Sequence, residues 1–202
     1  LADEARYEWL LFMDSDAEVI SASFVADYLK HADADVVCGG LCHADRLPSP
    51  EVSLRYAYEK RADKRRAARY RVAKPYERFT PFNFLIRKET FMAIRFDETI
   101  RGYGHEDTLF GIELQRKEIP LLHIDNPLRH LGLEANEVFL LKTQTALRNL
   151  AMMETTLQGH SSLLNTYNLL CRLHLTETIA RWYARHEAKL TTHLCGTHPK
   201  LS

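Results

Sequence analysis

Two carboxylates two residues apart, Asp14 and Asp16, end the apolar run Trp9-Leu10-Leu11-Phe12-Met13. Hard carboxylate oxygens converging on one point suit magnesium or manganese. In an extended segment, residues two apart point the same way, so both acids are expected to face one site at the end of a buried strand. For this segment alone the other reading is a turn whose Asp and Ser side chains satisfy backbone amides. A second acidic pair lies in Arg101-Gly102-Tyr103-Gly104-His105-Glu106-Asp107-Thr108. The residues after it, Leu109-Phe110-Gly111-Ile112-Glu113-Leu114, carry apolar side chains at helical spacing, which sets Glu106 and Asp107 at a helix N-terminus. Capping and the helix dipole explain one carboxylate there. They do not explain the two glycines and the aromatic before it.

Elements that could hold these residues alternate in type. A strand before Asp14, a helix over 21–31, a strand over 35–41, a long helix over 51–69 opened by Ser49-Pro50, a strand over 82–86, a short helix after Lys88, a helix from Glu106 and a strand over 121–124 give an α/β rhythm. Residues 1–7 read as the last turns of a helix. After Gly132 the pattern is helical alone, with Phe139, Ala146, Leu150, Met153 and Leu157 on one stripe and Ile179, Trp182 and His186 on another.

With Phe79-Thr80-Pro81-Phe82-Asn83-Phe84-Leu85-Ile86-Arg87-Lys88 and Asp125-Asn126-Pro127-Leu128-Arg129-His130-Leu131-Gly132, the two acidic segments form four motifs in an order that resembles a family-two glycosyltransferase of GT-A fold. The likeness is to bacterial members with a galactosyltransferase-like Gly-Tyr-Gly-His-Glu-Asp segment, and it covers residues 9–132. It implies a GT-A-like mixed sheet flanked by helices over 1–132, followed by a helical C-terminal extension over 133–202. It further implies a metal-dependent inverting transfer of a sugar from a nucleotide diphosphate donor, UDP by resemblance, to a saccharide or glycan acceptor, as in polysaccharide biosynthesis. On that likeness Asp16 and His130 hold Mn2+ or Mg2+, and Asp14 and Asp16 contact the donor. Asp107 is the base, Glu106 orients the acceptor hydroxyl, and Tyr103, Gly104 and His105 lie near the acceptor. Residues 80–84 would line the floor between donor and acceptor.

The residue types make chemical sense without the likeness. A cation offsets charge developing on the leaving phosphates, and a carboxylate on the opposite side takes the acceptor proton. One such displacement inverts the anomeric centre. His130 alone could be an ordinary strand-end histidine, and His105 could serve helix-entry packing or hydrogen-bond substrate. His31, His43, His123, His160, His174, His186, His193 and His198 show no ligand-like spacing and receive no role.

The 202 residues, 46% hydrophobic and 27% charged, suffice for one folded core and an appendage. Lys and Arg number 27 and so do Asp and Glu, which gives no overall electrostatic case for nucleic acid. Nine cations nevertheless crowd between Arg55 and Lys74, Arg71 among them. A solvated helix face is one reading; contact with phosphate, an anionic acceptor or a membrane surface is the other. Cys38, Cys42, Cys171 and Cys195 make no zinc pattern, and no apolar run approaches a membrane span. A cytoplasmic enzyme, peripheral at the inner membrane face, is the expectation, with the C-terminal helices docking on the catalytic part or joining copies into a homo-oligomer.

Only thirteen residues precede Asp14, fewer than such enzymes carry before Asp-x-Asp, so the expectation is a fragment without the nucleotide base-binding strands. Its strand 9–13 would then have an open edge, and the chain is expected either to self-associate through it or to fold poorly alone, and to bind UDP-sugars weakly. Two rivals use the same residues: a truncated sugar- or partner-binding module, and a haloacid-dehalogenase-type phosphatase with Asp14 as nucleophile. The latter has Ala17 where Thr or Val is usual and leaves His130 unexplained.

Overall fold

The computed structural model describes residues 2–98 and 103–196. The chain is mixed α/β, with sheets flanked by helices and a helical C-terminal region. It divides into two compact units. The first holds Leu1–Arg46, Glu59–Ile100 and Glu106–Leu133, and the second Leu47–Tyr58, Arg101–His105 and Glu134–Ser202. The change of pattern after Gly132 therefore falls within a few residues of a unit boundary. Two earlier segments, however, go with the helices.

In chain order the elements are β1 (Trp9–Met13), β2 (Ala17–Glu18), α1 (Phe24–Leu29), β3 (Val36–Cys38), β4 (Leu41–Cys42), α2 (Ser53–Ala62), α3 (Ala68–Arg71), β5 (Asn83–Arg87) and α4 (Lys88–Ile94). There follow α5 (Glu106–Arg116), β6 (Leu121–His123), β7 (Leu128–His130), α6 (Asn136–Met152), α7 (Glu154–Leu157), α8 (Ser162–Arg172) and α9 (Thr176–Leu194).

The first unit is built on a four-stranded sheet of order β1-β5-β3-β6, in which β5 runs antiparallel to both neighbours and β3 and β6 are parallel. Alternation along β3 and β5 sends side chains to two faces. Val36, Cys38, Phe84 and Ile86 pack with Phe91 and Phe110 on one; Val37 and Leu85 pack with Phe24, Tyr28 and Leu128 on the other. Aromatic stacking fills the first face, with Phe12 on Phe84 at 4.7 Å and Phe96 on Phe110 at 4.5 Å between centroids.

The apolar run of β1 leads to the expectation of a buried strand, but the strand is only partly covered. Leu11 and Met13 of β1 are 37% and 40% exposed, and β3 and β5 take the doubly covered positions. The expected open edge on β1 is present among the described residues.

Other differences have local causes. Residues 2–4 form a turn and no helix, with Lys88 Nζ donating to the carbonyls of Asp3 and Ala5 and Arg95 paired with Asp3. The long basic helix breaks into α2, a tight turn and α3, whose first amide, Ala68 N, donates to Asp125 Oδ1 at 2.6 Å. Arg71 is buried and not part of a solvated face. Its guanidinium donates to the carbonyls of Cys38, Gly39 and Ile124 and to His123 Nδ1 at 2.6 Å.

The second unit centres on α6. Asn136 is buried at its start; its Oδ1 accepts from Leu54 N at 2.9 Å and its Nδ2 donates to Ser53 Oγ at 3.2 Å and the Cys195 carbonyl at 3.3 Å. Those bonds tie Ser53 and Leu54 to this unit. Leu54, Phe139, Leu150, Leu157 and Leu164 are buried here, whereas Ile179, Trp182 and Tyr183 of α9 stay substantially exposed. Among the described residues no helix is long and apolar enough to cross a membrane.

Candidate metal and catalytic site

Asp14-Ser15-Asp16-Ala17 is a turn, with Ala17 N donating to Asp14 O at 3.2 Å, so the extended-strand argument for a shared face does not apply. Pairing of β2 with β7 does the work instead. Ala17 stands opposite His130, and Leu131 N donates to Asp16 O at 2.9 Å. The consequence is that Asp16 Oδ2 lies 3.3 Å from His130 Nε2.

Two ligands about 2.1 Å from one ion and roughly at right angles stand about 3 Å apart, so this separation suits the edge of a coordination shell. The neighbouring chain makes room for it. A Cβ on Gly132 would collide with Asp16 Oδ2 and crowd its Cγ, so only glycine leaves the carboxylate where it lies. An oxygen and an imidazole nitrogen form a donor set that manganese accepts readily and magnesium less so. Asp14 is beside them: burial first, then the nearby charge of Asp16, pushes its carboxyl above the usual carboxylate range, with His130 acting the other way. Asp14 N donates to Phe82 O at 3.2 Å, which ties the turn to the start of β5.

His130 is held from behind. Its Nδ1 faces Glu59 Oε2 at 2.9 Å, and the same oxygen is bonded to His43 Nε2. His43 Nδ1 in turn faces Asp63 Oδ1 at 2.8 Å. Both histidines and Glu59 have nearly inaccessible side chains. Partial burial would raise the Asp63 carboxyl, but the hydrogen bonds from His43 and Lys60 outweigh it and hold the group below its usual range. Phe82 completes the wall, its ring edge-on to His130 at 5.3 Å. His43, Glu59 and His130 also have ligand atoms within 4.8 Å of one another, close enough to hold an ion among themselves.

Within residues 80–84, the expected floor, the polar side chain of Asn83 is fully engaged in hydrogen bonds. Asn83 is wholly buried; its Oδ1 accepts from Tyr28 Oη at 2.6 Å and its Nδ2 donates to the carbonyls of Gly40 and Asn126.

Glu106 and Asp107 open α5 as the periodicity predicts. Asp107 Oδ1 accepts from Thr108 N at 2.7 Å and Thr108 Oγ1 at 3.2 Å. Glu106 Oε2 is buried and has no hydrogen-bond partner among the described residues. A buried carboxylate oxygen left without a donor costs about 1–3 kcal/mol or more, so this atom is suited to receive a hydroxyl.

Arg101 and Gly102 lie outside the described residues. Tyr103, Gly104 and His105 belong to the helical unit, where they dock on α6. Gly104 has φ +105° and a Cβ there would meet Ala146 Cβ at 2.8 Å. Asn149 Nδ2 donates to Tyr103 O at 3.1 Å, Arg55 Nη1 to Tyr103 Oη at 3.0 Å, and His105 Nε2 bonds the Ala146 carbonyl at 3.1 Å. The glycine and both rings thus anchor this segment on α6, in line with the packing alternative for His105.

Compared with known protein families and with curated proteins, the chain matches no family model and no individual protein.

Proposed function

We propose that this chain carries the catalytic part of a metal-dependent, inverting glycosyltransferase of GT-A type. It would move a sugar from a nucleotide diphosphate donor, UDP first among candidates, to a saccharide or glycan acceptor. The observation that carries the reading is the 3.3 Å approach of Asp16 Oδ2 to His130 Nε2 over Gly132, which joins two of the four motifs at one point.

Asp16 and His130 would hold Mn2+ or Mg2+, which when bound supplies charge neutralisation for the leaving diphosphate. Asp14, beside them, contacts the donor. Phe82 walls off the His130 ring, so the ring cannot swing away from Asp16 without losing that packing. At the start of α5, Glu106 Oε2 accepts the acceptor hydroxyl and orients it. Asp107, with one oxygen engaged by Thr108, takes the hydroxyl proton on the other as the new bond forms. Attack from the side opposite the leaving group makes the transfer inverting. The same reading carries a cytoplasmic location, peripheral at the inner membrane face, with no nucleic-acid partner.

The test is a panel of nucleotide sugars with and without Mn2+, read as release of the nucleoside diphosphate. Mn2+-dependent release that disappears in Asp16→Asn is the expected result. Phosphate release from a monoester with every nucleotide sugar left intact would overturn it in favour of a phosphatase using Asp14.

A further inference from the structure

Behind His130 stand Glu59, His43 and Asp63, which the chemistry above does not use and which belong to none of the four motifs. We infer that Glu59, backed by His43 and Asp63, is a positioning device that fixes the tautomer and aim of His130 toward a divalent cation at Asp16. The inference rests on the proposed metal site.

An ionised carboxylate accepts hydrogen bonds and cannot donate them. Glu59 Oε2 is bonded to His43 Nε2 and lies 2.9 Å from His130 Nδ1, so both nitrogens carry their protons toward it. With its proton on Nδ1, neutral His130 has its lone pair on Nε2, the nitrogen 3.3 Å from Asp16 Oδ2. The other tautomer would point a proton at the cation and leave two acceptors facing each other at Glu59.

His43 explains why Glu59 stays put. Its second nitrogen faces Asp63 Oδ1 at 2.8 Å, so the ring is held between two carboxyl groups and braces Glu59 from behind. Lys60 Nζ, 3.0 Å from Asp63 Oδ2, and Arg66 Nε, 3.2 Å from Asp63 Oδ1, hold the outer end. Buried ionic groups are expensive unless hydrogen-bonded and paired, and here each neighbour satisfies the next. A carboxylate on the far nitrogen of a ligating histidine raises its basicity, and removing such a partner typically costs about 10–100-fold in metal affinity.

Mn2+ titrations of the full chain by calorimetry and Mn2+ EPR test this, with urea midpoints recorded for every variant. Glu59→Gln should bind Mn2+ about 10–100-fold more weakly, Asp16→Asn should abolish binding, and His43→Gln should weaken it to a smaller degree. Unchanged Mn2+ affinity in a folded Glu59→Gln would overturn the inference. Loss in His43→Gln as complete as in Asp16→Asn would overturn it too, because the ion would then sit among His43, Glu59 and His130.

A measurement on the unmutated chain covers the case in which the variants fail to fold. Nitrogen-15 NMR of the metal-free histidine rings should show His130 protonated at Nδ1, the nitrogen facing Glu59; a bare Nδ1 with the proton on Nε2 overturns the positioning role. Should the unmutated chain bind no Mn2+ at any concentration tested, the inference falls with its metal. Should it bind Mn2+ but turn over no nucleotide sugar, the proposed reaction falls and the positioning of His130 is judged on affinity and tautomer.

Discussion

Asp16 rests its carboxylate against the bare Cα of Gly132, two residues past His130, so one short segment supplies both a candidate ligand and the space its partner needs. Replacing Gly132 by Ala adds a methyl group where Asp16 Oδ2 now lies. The carboxylate is about two-fifths exposed and can swing outward, so the fold should survive while the 3.3 Å approach is lost. Mn2+ affinity should fall by about 10–100-fold, the range seen when support for a metal ligand is disturbed, with little change in urea midpoint. Unaltered Mn2+ binding in Gly132→Ala would remove Asp16 from the metal site.

At the start of α5 the two acids should separate in kinetics. Asp107→Asn should lower turnover by about a hundred- to ten-thousand-fold with donor affinity nearly intact, as befits a base that acts only in the transition state. Glu106→Gln keeps the shape and removes the charge from the orphaned Oε2, so acceptor KM should rise more than donor KM. Donor binding lost in step with turnover would make Asp107 structural.

Residue types pointed to the candidate residues, but not to how the chain brings Asp16 and His130 together. Asp14, Asp16, His130, Glu106 and Asp107 stand out because they fall in four motifs whose order resembles a known family, although each segment alone also reads as an ordinary turn, cap or strand end. The path from Asp16 to His130 was hidden, since it depends on two-residue β2 pairing with a strand more than a hundred positions away, and strands that short carry no periodicity. His43 and Glu59 gave no signal at all. Their partners are 16 and 71 positions apart in sequence, so no local spacing marks them. The same blindness affected Arg71, which composition placed with eight other cations on one surface and the fold buried among carbonyl oxygens. The sheet order likewise depended on which apolar strand was central. Phe84, Leu85 and Ile86 are as apolar as Leu10, Leu11 and Phe12, and only tertiary pairing separates them.

In the helical unit, Asn136 is the residue whose loss should be felt most. Leucine at this position would leave the buried Leu54 N without its acceptor and the part-buried Cys195 carbonyl without this donor. Orphaning buried backbone groups costs about 1–3 kcal/mol each, so Asn136→Leu should destabilise the chain by about 2–4 kcal/mol in urea unfolding. Asn136→Ala, which removes the same partners without adding bulk, should lose a similar amount, and a loss below about 1 kcal/mol would show that these bonds contribute little.

His123 makes the stability of the first unit depend on pH in a defined window. Burial, reinforced by the neighbouring Arg71 charge and only partly offset by the Pro75 carbonyl, lowers its pKa to about 4 from the ordinary 6.5. The geometry agrees: Nδ1 receives a proton from Arg71 at 2.6 Å and Nε2 donates to Pro75 O at 2.9 Å, so a second ring proton would set two cations face to face. Above about pH 6.5 neither the folded nor the unfolded chain protonates this ring, and its contribution is fully present. Between 6.5 and 4 the unfolded chain takes up the proton and the folded chain does not, so stability falls with acidification by up to about 1.4 kcal/mol per pH unit. Below about 4 both are protonated and the loss levels off. His123→Gln keeps an acceptor for Arg71 and a donor for Pro75 without a titrating ring. Urea midpoints measured from pH 7.5 to 3.5 should therefore converge for the two proteins as the pH drops, and parallel curves across that range would show that His123 titrates normally in the fold.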